Sequence, residues 1–156
     1  MNAHSMNFDG ALIARGFWLY VWEIADGSRT VLYVGRTGDT SSPNASSPFR
    51  RISQHLDSKA NAKGNALLKQ LTRAKLVPER CHFEMVAIGP LFPEQRDPAQ
   101  HRLFRDKTAA LERMLADHLR KRGYDVLGAH PGIGAVDTEV FTQIRQIVDD
   151  RWPGTV

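Results

Sequence analysis

Five side chains of this sequence are suited to chemistry on a phosphate ester. They are the phenols of Tyr20 and Tyr33, the guanidinium of Arg51, the imidazole of His55 and the carboxylate of Glu112. Phosphodiester hydrolysis needs an aligned water, a base for its proton and positive charge near phosphorus. Each residue alone is more often structural, as a core phenol, a surface imidazole or a carboxylate paired with Lys or Arg.

Both tyrosines fall in a predicted β-hairpin. The runs at 18–20 and 33–35 are rich in aromatic and β-branched residues, and the polar segment 26–28 between them supplies turn residues. The first strand, over 18–24, is apolar on both faces, which predicts a central place in the sheet. Alternation at 82–88 predicts a third strand that pairs with the hairpin.

The remaining candidates fall in predicted helices. Arg51 and His55 are four residues apart, so they share one flank of a helix that begins at Pro48 with Ser47 as its cap. Glu112 lies in the longest predicted helix, on the shoulder of its leucine stripe. A carboxylate in that position can reach a cleft without being enclosed in the core.

In their order along the chain, these residues resemble the GIY-YIG nuclease family. That family has a strand with Gly-Ile-Tyr, a strand with Tyr-Ile-Gly, a helix with Arg followed four residues on by His or Tyr, and a later helix with one Glu. Over roughly residues 16–128 the matches are Tyr20, Tyr33 with Gly35, Arg51 with His55, and Glu112. Trp18 and Leu19 replace the first Gly-Ile, and Asp125 stands where such nucleases commonly carry Asn.

The resemblance implies an α/β (α+β) fold with a small three-stranded antiparallel sheet flanked by helices. It also implies a divalent-metal-dependent endonuclease that hydrolyses DNA phosphodiester bonds. Glu112 would be the one protein ligand of Mg²⁺ (or Mn²⁺), with Asp125 as its rival, and Arg51 would pair with the phosphate oxygens. Tyr20 is then the first candidate for the general base. Tyr33 would orient the water or the phosphate, and His55 would hydrogen-bond one of the phenols.

Length and composition fit one domain. The chain has 156 residues, 42% apolar and 24% charged, which is ordinary for a soluble globular protein. No apolar run approaches the roughly 20 residues that span a bilayer, and no secretory signal is visible, so no membrane partner is expected. The lone Cys81 cannot form an internal disulfide, which favours a cytoplasmic location. The oligomeric state is left open.

Positive charge is concentrated in one stretch. The net charge is +4, but residues 50–80 hold eight Lys or Arg against two acidic residues, which leaves +6. Such a patch is expected of a phosphate-backbone binder, although a solvated helix face would explain it equally well. The predicted DNA contacts are Arg36, Arg50, Lys59, Lys63, Lys69 and Arg73.

The predicted organisation has three parts. Residues 1–12 form a flexible tail, 13–128 the nuclease-like domain, and 129–156 carry an extra amphipathic helix packed on that domain. A polar Ser- and Pro-rich loop at 36–48 joins two candidate site elements. The alternative is a catalytically weak or inactive module of the same fold that binds nucleic acid or a protein partner.

Overall fold

A computed structural model describes residues 1–40, 42–59, 61–132 and 134–154. One position of the predicted loop at 36–48 and three positions of the predicted C-terminal segment 129–156 therefore lie outside the described residues. The strands are β1 Phe17–Ala25, β2 Thr30–Arg36, β3 His82–Phe92 and β4 Val126–Leu127. The α-helices are α1 Pro48–His55, α2 Ala66–Arg73, α3 Pro98–Lys121 and α4 Thr138–Arg151.

The hairpin forms the centre of the sheet. Its turn is closed by Asp26, whose Oδ1 accepts the Ser28 backbone N–H at 2.9 Å, while Gly27 takes the positive φ of 88° that the reversal requires. β1 pairs antiparallel with β2 on one side and with β3 on the other. Its central place agrees with its two apolar faces.

The predicted three-stranded antiparallel sheet is wrong, because a fourth strand joins it. The sheet is mixed, in the order β3-β1-β2-β4, and β4 runs parallel to β2. Leu32 N donates to Asp125 O at 2.8 Å, and Leu32 and Tyr33 align with Val126 and Leu127. The chain leaving α3 thus covers part of the free edge of β2. The sequence at 124–127 predicts a short strand or an extended tail, but two paired residues are too few to show an alternating pattern, so their place in the sheet was not predicted.

The two faces of the sheet bury separate apolar clusters, because side chains alternate along each strand. The first face packs against α3 and α4, and its cluster includes Leu19, Val21, Leu32, Val34, Leu111, Leu115, Ile144 and Val148. The second face packs against the region of α1 and α2, and its cluster includes Tyr20, Trp22, Ile24, Val31, Tyr33, Leu67 and Leu71. The two tyrosines therefore share the second face.

Side-chain caps fix where α1, α3 and α4 begin. Ser47 accepts the N–H of Arg50 at the start of α1, and Asp97 and Asp137 do the same for α3 and α4. α4 lies against the domain, where Trp152, just past its end, donates its Nε1–H to Glu23 at 2.7 Å. Within the described ranges, no helix has the length and apolar character that crossing a bilayer would need.

Candidate active site at the end of the second strand

Gly35 makes room for the ring of Tyr20. The two residues are register partners in the hairpin, and a Cβ at position 35 would lie 2.4 Å from Cε2 of that ring. No side chain fits at this distance, so the Tyr20 ring lies across the backbone of β2. Its hydroxyl then donates to the carbonyl oxygen of Arg36 at 3.0 Å.

The Tyr20 hydroxyl also meets His55, whose Nε2 lies 2.6 Å away. A carbonyl oxygen can only accept, so while the phenol donates to Arg36 it must accept the Nε2–H of the imidazole. This arrangement makes Nδ1 the unprotonated nitrogen, and it is buried without a hydrogen-bond partner. Burial, with help from the charge of Arg51, lowers the pKa of His55 to about 4, so the ring is neutral at physiological pH.

The two phenols differ in their access to solvent. Tyr20 is fully buried, and burial raises its pKa well above the usual range. Tyr33 is 9% exposed, and burial and the nearby Glu112 carboxylate raise its pKa to about 12 while the charge of Arg51 opposes them. The His55 ring stands edge-on to both tyrosines, with centroids 5.5 and 5.6 Å away. The imidazole therefore holds the two phenols apart, and Tyr33 is the one nearer to solvent.

Arg51 lies beside this trio with its side chain 12% exposed. Its Nη2 donates to the Asp39 carboxylate at 2.9 Å, and its Nη1 donates to Gln54 Oε1 at 3.0 Å. Its Nε is buried and makes no hydrogen bond of full geometry, although the guanidinium is close enough to the Tyr20 hydroxyl to lower the pKa of that phenol. The Nε–H therefore remains available to an acceptor that reaches the end of β2.

Glu112 pairs with Arg36 at this end of β2. Arg36 Nε donates to Glu112 Oε2 at 3.0 Å, and the two side chains are 17% and 18% exposed. Burial raises the pKa of Glu112 to about 7, against the lowering influence of Arg36 and Arg51. Desolvation therefore outweighs the favourable charge of the two guanidinium groups.

The site wraps around the end of the sheet. Arg36 shares the first face with Leu32 and Val34, while Tyr33 points to the second face, because alternate residues of β2 point in opposite directions. Glu112 therefore approaches from the α3 side, and Arg51 and His55 approach from α1. The two side chains are nevertheless close enough for the charge of Arg51 to lower the pKa of Glu112.

Asp125 lies away from this site, beside the first half of β2. Its carbonyl oxygen pairs with Leu32 N, four residues before Arg36, or about 13 Å at the rise of a strand. Its side chain is exposed. Among the described residues, no three His, Cys, Asp or Glu side chains gather as a metal site. Asp125 is therefore remote from Arg51, and the carboxylates that act on that guanidinium or lie within reach of its charge are Asp39 and Glu112.

All but one of the predicted DNA-binding residues are exposed. The exposed residues lie on the helix side of the second face and are Arg50, Lys59, Lys63, Lys69 and Arg73. Arg36 differs from them, because its side chain is mostly buried and its Nε donates to Glu112. The structure brings together Tyr20, Tyr33, Arg51, His55 and Glu112 at one end of β2.

Asp39 and Gln54 are site residues that the sequence reasoning missed. Both bind Arg51 and line a polar cavity of about 420 Å³ together with Arg15, Asn44 and Arg50. Gln54 lies three residues after Arg51 on a helix flank, a spacing that predicts contact. Asp39 lies in a loop without periodicity, so no pattern pointed to it.

Comparison of the chain with protein-family models, with curated proteins and with solved structures finds no match.

Proposed function

We propose that this protein is a divalent-metal-dependent endonuclease that hydrolyses DNA phosphodiester bonds at a GIY-YIG-type site. The proposal depends on one observation, that two phenols, a mostly buried guanidinium and a carboxyl of raised pKa lie together at the end of β2. These groups come from β1, β2, α1 and α3. A purely structural explanation would have to account for each of them separately.

Arg51 is suited to hold the phosphate. Its Nε is buried without a partner, and a buried donor left unpaired costs free energy unless a ligand or water satisfies it. A guanidinium matches two oxygens of a phosphate in a fixed geometry. Arg51 would therefore neutralise the charge that develops around phosphorus.

Both phenols are candidates for the base that takes the proton of the attacking water. A phenol becomes usable only when nearby positive charge stabilises its anion, and Arg51 lowers the pKa of both. The Tyr20 oxygen already contacts His55 and the Arg36 carbonyl, whereas Tyr33 reaches solvent. Exposure therefore favours Tyr33 for contact with the water, with Tyr20 and His55 fixing its position.

Glu112 fits the role of metal ligand on electrostatic grounds. Its raised pKa means that Arg36 supplies too little positive charge to offset its burial, so a cation at the carboxylate would be favourable. Mg²⁺ is commonly held by one or two carboxylates, with water and phosphate oxygens as its other ligands. When bound, Mg²⁺ or Mn²⁺ would supply positive charge at the phosphate.

Exposed basic residues beside the site would guide the DNA backbone. Arg50 and Lys69 belong to α1 and α2, which cover the sheet face that carries the two phenols. Positive charge there would attract phosphates through counterion release. DNA would then cross the basic helices with one phosphate at Arg51.

Nicking of supercoiled plasmid DNA in Mg²⁺ or Mn²⁺ tests the proposal. Glu112→Gln should abolish nicking while the protein still binds DNA, because the amide fills the same space without holding a cation. The exposed Glu79→Gln variant, which loses the same charge elsewhere, should nick at the normal rate. Absence of nicking on supercoiled, branched and flapped DNA with either metal would count against an endonuclease.

A second candidate is a module that binds nucleic acid or a partner protein without cleaving it. The observation in its favour is the bond from Arg36 to Glu112, which engages one oxygen of the carboxylate that a metal would need. DNA binding of equal strength in EDTA and in Mg²⁺, with no cleavage in either, would select this candidate.

A further inference from the structure

Asp39 is held in place by the segment that follows β2. Thr37 is fully buried, its Oγ1 donates to Gly16 O at 2.5 Å, and it accepts the Trp18 N–H at 2.9 Å. Gly38 has a φ of 71°, and a Cβ there would lie 2.5 Å from the Phe17 ring. The two residues before Asp39 are thus fixed to β1, and its carboxylate is presented to Arg51 by an anchored backbone.

The Asp39 carboxylate lies on the solvent side of the guanidinium. Its side chain is 37% exposed against 12% for Arg51, and both residues line the polar cavity of about 420 Å³. The cavity also receives Arg15 and Arg50, together with the polar side chain of Asn44. Asp39 is therefore the partner in this pair that is more accessible to solvent.

We propose that this cavity is a phosphate-binding subsite in which the Asp39 carboxylate holds the place of a phosphate in the free protein. Carboxylate and phosphate offer a guanidinium the same pair of acceptor oxygens, so one replaces the other without moving Arg51. The inference rests on the proposed function for the phosphate's source, a nucleic acid strand. The binding of phosphate at Arg51 does not depend on cleavage.

The exchange lowers the affinity of the subsite for every anion. A partly exposed ion pair is weak enough for a ligand to displace, and the carboxylate competes equally with each anion that enters. A strand brings several phosphates, which bind the exposed basic helices as well, so it occupies the subsite at concentrations where a free ion does not. The preference for a strand therefore comes from these additional contacts, and Asp39 sets the affinity that they must exceed.

Two probes test the proposal in EDTA, where no cleavage can occur. Inorganic phosphate is titrated by NMR of the backbone amides around the cavity, and a 12-base-pair duplex by fluorescence anisotropy. Asp39→Asn should bind inorganic phosphate about fivefold more tightly, the effect of removing one partly exposed ion pair. The gain should vanish in an Arg51→Gln background, because the two residues act as a pair.

Asp57→Asn is the matched control. Asp57 lies three residues after Gln54, and its Oδ1 accepts the backbone N–H of Lys59 at 3.0 Å instead of a guanidinium of the cavity. The variant therefore loses one negative charge without releasing a cavity guanidinium. A gain of the same size in Asp57→Asn, or one that persists without Arg51, would overturn the proposal in favour of a general charge effect. Thermal unfolding checks each variant, and Arg51→Met, which also lacks the charge, replaces Arg51→Gln if the latter does not fold.

The two probes distinguish a failure of the phosphate subsite from a failure of the proposed nuclease function. Tighter binding of inorganic phosphate by Asp39→Asn, with no binding of the duplex, would support the subsite and refute DNA as its ligand. An unchanged affinity for phosphate in Asp39→Asn would refute the subsite, even if the wild-type protein cleaves DNA.

Discussion

Replacing Glu112 by Gln should stabilise the protein at alkaline pH. Burial raises the pKa of Glu112 from 4.5 to about 7, and a difference of this size corresponds to about 3 kcal/mol. A carboxyl with a raised pKa favours folding while it is protonated, so the stability is fully present below pH 4.5 and is lost as pH rises to about 7. The amide of Gln resembles the protonated acid at every pH. The variant should therefore match the wild type near pH 4 and exceed it by about 3 kcal/mol at pH 8.

Urea denaturation of both proteins between pH 4 and pH 8 measures this difference. The difference in unfolding free energy between variant and wild type removes the contributions of other titrating groups. One such group is His55, whose pKa is lowered to about 4 and whose contribution to stability therefore increases with pH. Adding Mg²⁺ at pH 8 should stabilise the wild type and leave Glu112→Gln unchanged, since only the wild type offers the carboxylate. A variant less stable than the wild type at pH 8 would refute the reasoning, because it would mean that the pair with Arg36 outweighs burial.

Three other predictions concern the rest of the site. Gly35→Ala should cost about 2 kcal/mol in urea denaturation and reduce cleavage, because the new methyl group would lie 2.4 Å from the Tyr20 ring; an unaffected variant would contradict the close packing. Asp125→Asn should cleave normally in the plasmid assay, since that side chain is exposed at another level of β2, and a dead variant would mean that the metal site is misplaced. Replacing four exposed basic residues together by Gln should weaken duplex binding and make the affinity less dependent on salt concentration. The residues are Lys59, Lys63, Lys69 and Arg73. An unchanged salt dependence would show that this surface is not the DNA-binding face.

The hairpin and the helix starts follow from local sequence. The turn at 26–28 and the apolar runs on either side of it specify β1 and β2, and Ser47 specifies the beginning of α1. Such features need no information about distant parts of the chain, because each is stabilised by contacts between close neighbours in sequence. Arg51 and His55 were likewise placed together by their helical spacing.

The features that the sequence did not disclose depend on distant partners. A short strand or extended tail was predicted at 124–127, but the parallel pairing of β4 with β2 was not, because it depends on the free edge of β2. Arg36 resembled a surface residue, and its partner Glu112 is 76 residues away in the chain. Asp39 gains its role from an anchored loop that shows no periodicity. Long-range pairings of single side chains leave no pattern in one sequence, so they emerge only in three dimensions.

The long separation between Arg36 and Glu112 bears on the order in which the site is built. The Tyr20 ring packs over Gly35 within a hairpin, and local pairings of this kind form early in folding. Glu112 can reach Arg36 only after a much longer loop has closed and α3 has docked, which is entropically slower. During synthesis the phenols and the guanidinium would also leave the ribosome before the carboxylate. Under the proposed function, the groups assigned to the phosphate would therefore be in place before the carboxylate assigned to the metal ion.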